Sequence, residues 1–179
     1  ETTESPYRLS QAHLDFQDAV LDYCFGIVSR AGSGLRERRL AFWGTLALMR
    51  CVGSSPAAAL SALRNRMSNE SDRLEPQIYD EDSDDEDAVD IEPGTGFDTD
   101  PALQALVAHA EELIHKPDPK LSALIDALTP LIKKGANPVV FCRFLATAEH
   151  VRDGLRKAFP KLVVEAVTGV LTPDERRDR

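Results

Sequence analysis

Apolar residues recur at helical spacing through most of the first 130 positions, and the pattern breaks at recognisable signals. Ser10 can cap a first helix over 10–30, in which Leu14, Leu21, Phe25 and Val28 share one face and Phe16, Val20, Cys24 and Ile27 widen it. Gly32 and Gly34 interrupt it. A second helix is expected over 35–52, with Phe42, Leu46 and Met49 at helical spacing and Arg36, Arg38 and Arg39 in its first turn. Trp43 falls on that apolar side and reads as a core residue. Ser55-Pro56 supplies an N-cap and a proline at the first helical position, opening a third helix, PAAALSALRNRMS. Helices joined by turns this short pack together as a bundle.

Between about 69 and 98 no period is visible. Asp100-Pro101 then opens a fourth helix with Leu103, Leu106, Val107, Ala110 and Ile114 apolar, and Asp118-Pro119 a fifth with Leu121, Leu124, Ile125, Leu128 and Leu131. Pro130 belongs near the end of the fifth or kinks it. From Pro138 the pattern changes. PVVFCRF is a short continuous apolar run, the form of a strand buried on both faces. A helix of about 15 residues follows, then Pro160 and a second apolar run, KLVVEAVTG. That order predicts strand–helix–strand, the βαβ unit of a parallel sheet. The expected fold class is therefore α/β: a helical region over 1–68, an acidic linker over 69–99, and a sheet-containing part over 100–179.

Charge refines this picture. The formal net charge is −9, but residues 79–92 (YDEDSDDEDAVDIE) hold nine acidic residues and no basic one, which leaves 21 positive against 21 negative charges elsewhere. The acidity belongs to one segment, a solvated linker or a docking site for a basic protein partner. It lacks the regular spacing and glycine of a calcium loop. Cys24, Cys51 and Cys142 lie far apart in apolar runs with no zinc spacing, so buried thiols in a reducing cytoplasm are expected and no metal site is. The four histidines, His13, His109, His115 and His150, are scattered with no convincing carboxylate at i+3 or i+4. No apolar stretch is long enough to span a membrane. The polar opening, without Met, and the close on DERRDR read as the ends of an interior piece.

Over about 118–179 the order of features resembles the opening of the second RecA-like lobe of superfamily 2 helicases and translocases, most of all the Swi/Snf-like group. The matching residues are Lys120-Leu121 at a helix start, Val140, Phe141 and Phe144 at a strand end, and Thr147-Ala148 in the next helix. Thr168-Gly169 then ends a second strand, ahead of Pro173 and Arg176. The stretch YRLSQAHLDFQDAVLDY and the turn CVGSSPAAALSALRNR are similar to the helical linker between the lobes of bacterial relatives of that group. The resemblance implies a fragment of a DNA-dependent ATPase, truncated within a partial RecA-like βαβ unit. ATP and Mg²⁺ would serve the parent protein and would not bind this fragment alone. It also implies that Arg143, Phe144, Thr147, Thr168 and Gly169 face nucleic acid.

Independently of that likeness, ligands of parallel sheets bind at the carboxyl ends of strands, where Arg143 would stand beside a helix N-terminus able to hold a phosphate. AGSGLRER lacks the lysine ending of a phosphate loop and follows a helix rather than a strand. No phosphate cradle or magnesium ligand is therefore expected within the chain. The rival expectation is a non-enzymatic helical interaction module that docks a partner through its acidic loop.

Overall fold

The computed structural model describes residues 4–32, 34–67, 100–169 and 171–178. Seven helices run through them: α1 (Gln11–Arg30), α2 (Leu35–Ser54), α3 (Pro56–Met67), α4 (Pro101–Ile114), α5 (Pro119–Lys133), α6 (Leu145–Ala158) and α7 (Pro173–Asp178). The stop and start signals act locally. Asp100 accepts from the Ala102 amide at 2.9 Å and caps α4. Asp118 accepts from the amides of Lys120 (2.9 Å) and Leu121 (3.2 Å) and caps α5, and each acid stands before a proline that has no N–H to satisfy. Gly135, at φ 80°, closes α5: its amide bonds to Ile132 O and the Ala136 amide to Leu131 O, a turn that favours glycine because a side chain is strained at positive φ. Pro130 falls in the last turn of α5.

The main core is a bundle of α1 to α4. It joins Phe16, Val20 and Cys24 of α1 with Leu48 and Val52 of α2, Ala59, Leu60 and Leu63 of α3, and Leu103, Leu106, Ala110 and Leu113 of α4. Thus α4, although it follows the acidic segment in sequence, packs against α1 and α3. The acidic run 79–92 and its expected linker character lie outside the described residues. Helices α5 and α6 pack on each other, and α6 touches α3. Where α5 packs on α6, a side chain on Gly154 would run into the Leu121 side chain, so the glycine allows the close approach.

Two expectations are corrected. The chain is helical, and among the described residues there is neither strand nor sheet, so the βαβ unit and its RecA-like parallel sheet are not present. The apolar runs around 138–143 and 162–168 are irregular. Val139 is 75% exposed, Phe141 92% and Val163 92%, whereas a strand buried on both faces would hide all three. An apolar run codes for burial only when neighbouring strands take up its N–H and C=O groups, and these two runs do not form a ladder with each other.

The second correction concerns α2. Its core side carries Thr45, Leu48, Cys51 and Val52, which turns Phe42 (53% exposed) and Trp43 (58% exposed) outward. Apolar residues surround this helix, so periodicity alone allowed two faces. Close packing selected the face with the smaller side chains.

Candidate functional site

Three stretches far apart in sequence meet where α2 turns into α3. Ser55 Oγ accepts from the Ala58 amide at 3.1 Å, capping α3 behind Pro56. The hydroxyls of Ser54 and Ser55 each lie 2.8 Å from Thr147 Oγ1, on the first turn of α6. Thr147 and Ser55 are buried, 8% and 5% exposed, so these hydroxyls must satisfy one another. Lys120, in the first turn of α5, donates from Nζ to Gly53 O and Ser54 O at 3.1 Å each. Its charge thus sits on the free carbonyls at the C-terminal end of α2, where the helix dipole is negative.

Asp118 completes the joint. While one carboxylate oxygen caps α5, the other lies 2.9 Å from His150 Nε2 on α6, and the two side chains are only 9% and 17% exposed. Burial by itself would raise the Asp118 pKa; hydrogen bonds from His150 and from the Leu121 and Lys120 amides outweigh it and hold the carboxyl below its usual range. His13 lies on the other side of a small cleft lined by Phe16, Ser55, Leu113, Asp118 and Lys120. Its Nδ1 is 2.8 Å from Ser10 Oγ, and its buried Nε2 has no hydrogen-bond partner among the described residues. Burial lowers the His13 pKa, the Asp118 charge opposes that shift and Lys116 adds to it.

The cleft holds about 30 Å³ of water-accessible space, far below what a nucleotide needs. Ser10 and His13 are within hydrogen-bond reach, and among the described residues no carboxylate is bonded to the second ring nitrogen to complete a nucleophile–base–acid relay. The arrangement is chemically a joint: it fixes the first turns of α5 and α6 on the α2–α3 corner.

The residues singled out for nucleic-acid contact fall into three places. Arg143 is exposed, just ahead of α6. Phe144 is 6% exposed and packs on Cys51 and Ala58, tying the start of α6 to the bundle, while Thr147 is bonded within the joint. Thr168, half-buried, and Gly169, exposed, lie between α6 and α7, where Thr168 O accepts from the Leu171 amide at 3.3 Å.

Sequence reasoning passed over Asp118, His150, Ser54 and Ser55 as partners. Asp118 read only as a helix start, and its partner His150 is 32 positions away, beyond any i+3 or i+4 rule. Among the described residues no group of His, Cys, Asp and Glu could hold a metal ion, and no helix is long and apolar enough to cross a membrane. Among the described residues the three cysteines form no disulfide; Cys24 and Cys51 are buried and Cys142 is half-buried. No protein-family model, no curated protein and no solved structure matches this chain.

Proposed function

We propose that the chain is a helical segment of a superfamily 2, Swi/Snf-like, DNA-dependent ATPase or translocase, and that it contributes contacts to the nucleic-acid backbone. One observation carries the reading. The stretches behind the resemblance, Ser54-Ser55-Pro56, Lys120-Leu121 and Thr147-Ala148, converge on a single joint through bonds of 2.8 to 3.1 Å. A motor that couples ATP turnover to movement along DNA needs such rigid corners, because a loose one would absorb the displacement it should transmit. ATP and Mg²⁺ would bind elsewhere in the parent protein, and a cytoplasmic location fits. Arg143 is exposed just ahead of α6, which supports the proposed contact between its guanidinium and a phosphate.

ATP hydrolysis by the full-length gene product, with and without duplex DNA, tests this. Strong stimulation by DNA is expected, with the stimulated rate reduced several-fold in Arg143→Ala. Stimulation indifferent to Arg143 would remove that residue from the DNA contact, and absence of hydrolysis in the wild type would overturn the reading. A second reading is a non-enzymatic interaction module with an acidic docking loop; the exposure of Val139, Phe141 and Val163 is compatible with it, as apolar side chains available to a partner. It is the reading that absence of hydrolysis would leave standing.

A further inference from the structure

We infer that the outward face of α2 is a docking surface for single-stranded nucleic acid. With its core side fixed by Thr45, Leu48, Cys51 and Val52, α2 turns positions 35, 38, 39, 42, 43, 46 and 50 away from the bundle, a register of three and four residues along one stripe. Leu35 is 80% exposed, Phe42 53% and Trp43 58%. The two rings meet edge to face, centroids 5.8 Å apart and planes at 76°, so each braces the other while much of its surface stays open to solvent. Arg38 and Arg39 are exposed one turn before them, Arg38 holding Gly32 O at 3.3 Å through Nε. None of the seven positions is acidic.

Two exposed aromatic rings beside arginines match the two needs of an unpaired strand. Guanidinium groups meet phosphates, and a base with a free face stacks on the indole or phenyl ring. In a duplex the base faces are already stacked and the rings would gain little, which selects the single strand. The local charge is distinctive because the chain outside 79–92 is balanced, with 21 positive and 21 negative charges, whereas this stripe carries arginine alone. The inference stands on α2 and does not depend on ATP turnover.

Trp43 is the single tryptophan of the chain, so its emission reports on the surface directly. Titration of the chain with an oligothymidine of about 20 nucleotides, longer than the outward face of α2, is expected to quench Trp43 emission saturably. Anisotropy of a labelled oligothymidine is then expected to show binding weakened about tenfold by Trp43→Ala and by Phe42→Ala, as loss of one stacked base predicts. Arg38→Gln with Arg39→Gln should weaken binding and flatten its dependence on salt. Circular dichroism checks that each variant keeps its helix content. Unchanged emission on titration would overturn the proposal. So would a duplex of the same length that binds as tightly and is weakened as much by Trp43→Ala, or stronger quenching by polyglutamate or anionic phospholipid vesicles, which would assign the face to an acidic protein or a lipid surface.

Discussion

Leu63→Ala is expected to destabilise the protein by about 2–5 kcal/mol, the range for truncating a buried leucine whose surroundings cannot collapse around the gap. Leu63 is fully buried on α3, in the cluster where α1, α2 and α4 also meet, so the cavity would open where helices converge. In a chain of this size the loss corresponds to roughly 5–15 °C in Tm. Phe141→Ala is the internal control: it removes a larger side chain, but one 92% exposed, and should change stability by less than about 0.5 kcal/mol. Urea unfolding followed by circular dichroism measures both. A large loss for Phe141→Ala would place the 138–144 segment inside a core after all, and a small one for Leu63→Ala would dissolve the bundle.

Asp118→Ala should cost about 2–4 kcal/mol, because one substitution removes a helix cap and the partner of a nearly buried histidine. The Lys120 and Leu121 amides at the start of α5 lose their acceptor, and His150 loses its 2.9 Å contact. The same residue predicts an acid limb. The Asp118 pKa is lowered in the folded protein, so its contribution is present above the unfolded value of about 3.9 and is lost as the pH falls through the folded value. Unfolding free energies between pH 7 and pH 2 should therefore fall steeply at the acid end in the wild type and less steeply in Asp118→Ala. Parallel curves would show that the carboxylate is not held by these bonds.

Most helices were legible because their signals are local. Ser-Pro and Asp-Pro starts, Gly135 at the α5 stop, and repeats such as Leu103, Leu106 and Ala110 act within one or two turns. What was not legible depends on partners elsewhere. VVFCRF has the composition of a buried strand, yet a strand is defined by the neighbour that accepts its hydrogen bonds, and composition does not supply one. On α2 the choice between Trp43 inward and Thr45 inward is made by the packing of α1 and α3. The joint was half legible: Lys120 and Thr147 stood out, but only the fold shows that they close on Ser54 and Ser55 some 66 and 93 positions away. The acidic run 79–92 remains a statement of sequence.

The claim on which the rest depends is that the α2–α3 corner and the first turn of α6 are one energetic unit. A double-mutant cycle on Ser54→Ala and Thr147→Val, read by urea unfolding, tests it most directly, because each single variant removes one side of the same 2.8 Å bond. The joint predicts a coupling of about 0.5–1.5 kcal/mol between the two sites. Effects that add to within about 0.3 kcal/mol would contradict it and detach α6 from the corner.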